Sequence, residues 1–167
     1  MSARLAPRLT RREMVVRDLD AVAAIESGAY SFPWTRGNFV DSLAAGYLAQ
    51  VLEDERRELL GYFIAMAGVD EMHLLNITVA PSWQGQGLGR LMLQALADHA
   101  RECGLASLWL EVRQSNLRAR ALYRQLGYHE VGLRRGYYPA SGRREDAVVM
   151  SLVLQPIATD GDPHGLD

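Results

Sequence analysis

The sequence predicts one mixed α/β domain, a single sheet with helices on both faces. Three observations carry that expectation. Strand-like and helix-like periodicities alternate in the order strand, two helices, three strands, helix, strand, helix, two strands. Breakers and caps stand at the joints: Pro81 after a strand run, Gly104 and Gly127 after helical runs, Asn116 ahead of one. The length, 167 residues, suits one domain and leaves little room for a second.

The elements follow in chain order. Residues 1–12 carry Pro7 and four arginines without a period, and read as a flexible arm. Residues 13–17 read as a short strand. Asp18 is placed to cap a helix running to Ser27, with Leu19, Val22, Ala23 and Ile25 on its apolar side. An aromatic loop, YSFPWT at 30–35, ends at Thr35, which can cap a second helix to about Ala45. Runs 47–52 and 59–67 read as a hairpin around the charged turn 53–58, and 72–79 as a third strand. Leu88, Leu91, Met92, Ala95, Leu96 and Ala100 then recur at helical spacing. Residues 107–112 are apolar enough for a buried strand. A helix with Ala119, Ala121, Leu122 and Leu126 follows Asn116, and 128–133 and 147–154 close the domain as two strands. Between them, 134–146 reads as a loop and 155–167 as a flexible tail, so the domain proper is 13–154.

Composition excludes several classes. Net charge is −2, which gives no electrostatic ground for nucleic-acid binding. Cys103 is the single cysteine, so neither an intramolecular disulfide nor a cysteine-rich metal site is available, and no metal is expected. No apolar run reaches the ~20 residues that span a membrane, and the first residues lack the apolar stretch of a signal peptide. The expectation is a cytoplasmic protein, a monomer or weak dimer. His73, on an apolar strand, reads as structural.

The segment between strand 72–79 and the next helix is Gln84-Gly85-Gln86-Gly87-Leu88-Gly89. A helix start leaves backbone N–H groups without partners and adds about half a positive charge. Glycines let an anion approach that backbone closely. A phosphate loop of the Gly-Lys-Ser/Thr type is excluded, because Gly89 is followed by Arg90 and Leu91. A dinucleotide G-x-G-x-x-G is excluded too: the third glycine site holds Arg90 counted from Gly85, or Met92 counted from Gly87.

Gln84-x-x-Gly87-x-Gly89 resembles the acetyl-CoA signature of the GNAT superfamily of N-acetyltransferases. The resemblance covers about residues 13–154. It implies a central, mostly antiparallel sheet with helices on both faces. It also implies acetyl-CoA as acetyl donor, its pyrophosphate on the loop from Gln84, Gly85, Gln86, Gly87, Leu88 and Gly89 to Arg90. Ile77, Thr78 and Val79 would supply backbone for the pantetheine arm and acetyl carbonyl, on a strand from which the next one splays. The blocks LWLEVRQSN at 108–116, ALYRQLGY at 121–128, RRGYYP at 134–139 and GRRED at 142–146 resemble one branch, the bacterial ribosomal-protein-alanine N-acetyltransferases.

The reaction needs a group to take a proton from the attacking amine and one to protonate the leaving thiolate. The resemblance assigns the first role to Glu111 and the second to Tyr123, and gives Asn116 a contact with the coenzyme. Glu111 stands in an apolar strand, where burial would raise its proton affinity. A glutamate paired with Arg113 or another cation is the alternative, as is a plain core tyrosine at 123. Trp34, Tyr137 and Tyr138, with Tyr30 and Phe32, are candidates to wall the amine channel. The branch implies a protein N-terminus as acceptor, the alanine of small-subunit ribosomal protein eighteen. A lysine, another N-terminus, a small amine, or a catalytically silent coenzyme-binding module remain open alternatives. Relatives often carry a basic residue where Gly85 stands, so one pyrophosphate contact is lost here or replaced by Arg90.

Overall fold

Alternation of side chains decides which face of the sheet each strand buries. In Ser107–Arg113 the residues Leu108, Leu110 and Val112 are buried, while Trp109, Glu111 and Arg113 are half-buried on the other face. The computed structural model of the chain describes residues 7–155. Its strands are β1 (Thr10–Glu13), β2 (Leu48–Glu53), β3 (Leu59–Ala67), β4 (Glu71–Val79), β5 (Ser107–Arg113), β6 (His129–Tyr138) and β7 (Glu145–Val153). Its α-helices are α1 (Leu19–Ala29), α2 (Arg36–Ala44), α3 (Leu88–Glu102) and α4 (Leu117–Gln125). The strands form one sheet in the order β1-β2-β3-β4-β5-β7-β6. Only β4 and β5 run parallel, and α3 makes the crossover between them.

Two cores sit on opposite faces, as the mixed α/β prediction requires. Met92, Leu93 and Leu96 of α3 and Tyr123 of α4 pack on Phe63, Leu74, Leu108, Leu110 and Met150. Leu19 and Val22 of α1 and Phe39 of α2 pack on Val51, Tyr62 and Ile64. Thr35 caps α2 as expected, its Oγ1 accepting from Asn38 N at 3.2 Å.

Two stretches differ from the sequence reading. The strand expected at 13–17 lies earlier, so residues 10–12 of the expected arm are paired with β2. Asp18 is the reason: its carboxylate accepts from Val15 N at 2.8 Å and twice from Arg12 at 2.8 Å, which bends the chain out of the sheet. The same engagement keeps Asp18 from capping α1 with its side chain. Much of the loop expected at 134–146 is strand, since β6 runs on to Tyr138 and β7 begins at Glu145. It is held by Asp146 Oδ1 accepting from Gly136 N at 2.8 Å and by Arg144 donating to the carbonyls of Gly136 and Tyr137.

The sheet opens at one place. Pairing of β4 with β5 runs from Glu71↔Ser107 to Leu74↔Leu110 and stops, although both strands continue. At the same point β4 bulges against β3: Ala65 faces Leu74 and Ile64 faces Asn76, leaving Leu75 over. Beyond it, residues 75–79 present a strand edge free of β5.

Candidate active site

The glycine loop stands at the mouth of this opening. Gly85 and Gly87 have φ of 80° and 81°, a left-handed backbone that other residues adopt at a cost. Gly87 is the residue before α3, and nothing lies within 4 Å of where its Cβ would be. The N–H groups opening α3 are therefore approachable by an anion. Gln84 Nε2 donates to Val79 O at 3.2 Å and ties the loop to β4, while Leu88 is buried and anchors the helix start. Gln86 is exposed. A Cβ at Gly89 would stand 3.9 Å from both Val79 and Leu122, so the turn sits close against β4 and α4. Arg90 points elsewhere: its Nη2 donates to Gln125 Oε1 at 2.8 Å. The guanidinium beside the loop belongs instead to Arg118, with Nη2 3.5 Å from the Cβ position of Gly85. Asn116 caps α4, accepting from Ala119 N at 3.2 Å.

On the free edge of β4 the carbonyls are met by side chains. Tyr30 donates to Ile77 O at 3.0 Å and lies 2.9 Å from Thr78 Oγ1. Thr78 is buried and belongs to a polar cluster around Glu26, which is 2% exposed. Glu26 accepts from the Tyr62 hydroxyl, from Asn76 Nδ2 at 3.2 Å and from Trp34 N at 3.1 Å. Burial, and then the Glu26 carboxylate, push the Tyr62 phenol well above its usual range.

Glu111 and Tyr123 lie on opposite faces. Glu111 shares its face of β5 with Trp109 and Arg113, whereas Tyr123 belongs to the α3–α4 core. Glu111 follows directly on Leu110, the last residue of β5 paired with β4, so it stands where the sheet opens. Glu111 is half-buried and not left alone among apolar groups: its Oε1 takes a 2.9 Å ion pair from Arg134 Nε, whose side chain is 59% exposed. The cation is Arg134 rather than Arg113, because β6 extends further than the sequence suggested and carries it alongside. Arg113 pairs with Glu145 at 3.1 Å and lies over the rings of Phe32 and Tyr138 at 5.7 and 4.6 Å. Tyr137 packs edge-on to Tyr138, with Arg134 over its ring at 5.4 Å. Tyr123 is 7% exposed and has no hydrogen-bond partner among the described residues. Burial, with Tyr30, Tyr128 and Tyr138 nearby, raises its phenol above the usual range.

The aromatic candidates thus divide. Phe32, Tyr137 and Tyr138 gather with Arg113 and Arg134 around Glu111. Trp34 packs on Phe39 at 5.3 Å, against the α1–α2 core. Sequence reasoning missed Glu26, Arg118 and Arg134. Glu26 follows an apolar helical run, a signal of burial; Arg118 and Arg134 stand in basic stretches where nothing marks one arginine. A cavity of about 700 Å³ lies elsewhere, lined by Met14, Leu48, Met66, His99 and Cys103, and contains no predicted site residue. Among the described residues no helix is long and apolar enough to cross a membrane.

A mostly antiparallel sheet, split after a bulge and faced by a glycine loop at a helix start, is the architecture that the signature implied. The model of the acetyltransferase (GNAT) family matches residues 19–128, and the chain belongs to that family. Ribosomal protein bS18-alanine N-acetyltransferase of Escherichia coli is 43% identical over 137 residues, 82% of this chain and 92% of that protein. Its counterpart in Haemophilus influenzae is 41% identical over 138 residues, covering 82% and 93%. The crystal structure of the Escherichia coli enzyme superposes with a TM-score of 0.84 at 38% identity, covering 93% of this chain and 99% of that one. Spermidine N-acetyltransferase of Vibrio cholerae, solved with CoA and spermine, shares the fold at 21% identity and a TM-score of 0.74, covering 87% and 95%. By family the protein is an N-acetyltransferase.

Proposed function

We propose that the protein transfers an acetyl group from acetyl-CoA to the N-terminal α-amino group of a protein, and that the acceptor is the N-terminal alanine of ribosomal protein bS18. The observation that carries this is 43% identity to the Escherichia coli enzyme across 92% of its length. The residues fit the donor. The N–H groups of Gly85, Gly87, Leu88 and Gly89 and the side chain of Gln86 border the pyrophosphate site, with Gln84 tying the loop to Val79 and Arg90 turned to Gln125; Ile77, Thr78 and Val79 lie on the stretch of β4 unpaired with β5, beside which the pantetheine arm runs; Asn116 stands next to it at the start of α4. Bound acetyl-CoA supplies a thioester carbonyl open to direct attack, with no acyl-enzyme. Glu111 takes the proton of the attacking amine, directly or through a water, as the N–C bond forms. Tyr123, protonated at neutral pH like any tyrosine, gives its proton to the sulfur as the C–S bond breaks. Tyr137, Tyr138 and Phe32 wall the acceptor side, while Trp34 packs on Phe39 against the α1–α2 core. An α-amino group has a pKa near 7.7–8.0 against about 10.4 for lysine, so an N-terminus offers far more free amine at neutral pH. Mass spectrometry of peptides incubated with labelled acetyl-CoA tests the acceptor. Peptides beginning Ala-Arg should gain one acetyl group at the N-terminus. If they stay unmodified while internal lysines react, this acceptor is wrong.

A further inference from the structure

Gly85, at a φ of 80°, leaves the loop without a side chain just before the start of α3. The structure fills that place from another element. The Cβ that any other residue would have at 85 lies 3.5 Å from Nη2 of Arg118, the second residue of α4. The neighbouring arginines are occupied. Arg120 and Arg124 both pair with Glu130, Arg113 pairs with Glu145, and Arg90 is bound to Gln125. Arg118 is exposed and has no hydrogen bond or ion pair among the described residues. A guanidinium offers a fork of donors matched to phosphate oxygens, and it stands here beside a backbone already suited to an anion.

We propose that Arg118 is a phosphate-binding residue of the donor site, its guanidinium standing in for the loop side chain that Gly85 lacks and pairing with phosphate oxygens of coenzyme A. The inference rests on the acetyl-CoA reading above. It also replaces Arg90 as the compensating cation, since Arg90 is turned to α4. The phosphate oxygens belong either to the pyrophosphate or to the 3′-phosphate, and one experiment separates them.

Calorimetric titration of the full chain with coenzyme A and with 3′-dephospho-coenzyme A is the test, on wild type, Arg118→Ala and Arg118→Lys. One or two charge-assisted bonds correspond to about a 10- to 100-fold loss of coenzyme A affinity in Arg118→Ala. Arg118→Lys should fall between, because it keeps the charge and loses the fork. Equal losses for both ligands support the proposal with the pyrophosphate as partner. A loss for coenzyme A alone supports it with the 3′-phosphate. The melting temperature without ligand should stay that of wild type, because Arg118 bonds to nothing in the fold. If Arg118→Ala binds both ligands within twofold of wild type, the proposal is overturned while the acetyl-donor reading stands. If wild type itself binds no coenzyme A, both fall.

Discussion

Replacing Tyr123 by Phe removes one oxygen from the α3–α4 core and should separate catalysis from stability. The ring stays: its contact with Tyr128, at 5.6 Å between centroids, and its burial depend on carbon atoms. The hydroxyl has no hydrogen-bond partner among the described residues, so its loss leaves no donor or acceptor stranded. The expected change in folding free energy is about 0.5 kcal/mol or less in either direction. A positioned proton donor is worth about 10²- to 10⁴-fold in rate, or ~2.7 to 5.5 kcal/mol of barrier. Steady-state assays with an Ala-Arg peptide should therefore show kcat and kcat/KM falling together by that factor. Coenzyme A binding and the melting temperature should match wild type. A kcat within threefold of wild type would refute the assignment and return Tyr123 to the role of a core residue. A variant that loses activity and melts much earlier would refute the premise that the hydroxyl is structurally idle.

Glu111→Gln should lower turnover by about 10²- to 10⁴-fold, most steeply at low pH where free amine is scarce, and unchanged rates across pH would remove Glu111 as base. Its melting temperature should hardly move, since the partner Arg134 is 59% exposed and a pair of that kind is worth little. Gly61→Ala should destabilise the fold by about 1–3 kcal/mol and raise the KM for acetyl-CoA. Its new Cβ would stand 2.7 Å from Thr78 O, so β4 must move, and a wild-type melting temperature would contradict this. Asp18 gives an acid-stability prediction. The Arg12 guanidinium, against the opposing effect of burial, holds its carboxyl below the usual range. The folded state thus binds that proton more weakly, and Asp18 contributes stability above the ordinary carboxylate range that is lost as pH falls through its lowered value. Denaturant titrations should show a shallower acid limb for Asp18→Asn, and an identical limb would exclude this pair as a source.

Legibility in the sequence tracked how local each determinant is. The helices α2, α3 and α4 were readable because Thr35, Asn116 and an apolar stripe act within a few residues of themselves. The glycine loop was readable for the same reason, since left-handed turns ask for glycine at definite spacing. The end of β6 and start of β7 were not. Their residues from Arg134 to Tyr138 face solvent or aromatic rings on both sides, so no apolar period marks them, and the bonds from Asp146 and Arg144 come from the start of β7 and the residue just before it. Which cation pairs with Glu111 was not legible for that reason. Its neighbours in sequence are apolar, but its partner Arg134 is brought by a strand two places away in the sheet.

By itself the sequence determined the order of elements, two helix caps, an anion-ready loop and the residue types the chemistry needs. Tertiary structure alone decided how they meet. The gap between β4 and β5 opens at Leu75, where β4 also bulges against β3, a property of three strands together and not of any one sequence. Glu111 stands beside that gap, directly after the last residue of β5 that pairs with β4. The cation beside Gly85 comes from α4, because side chains reach across space without regard to their place in the chain.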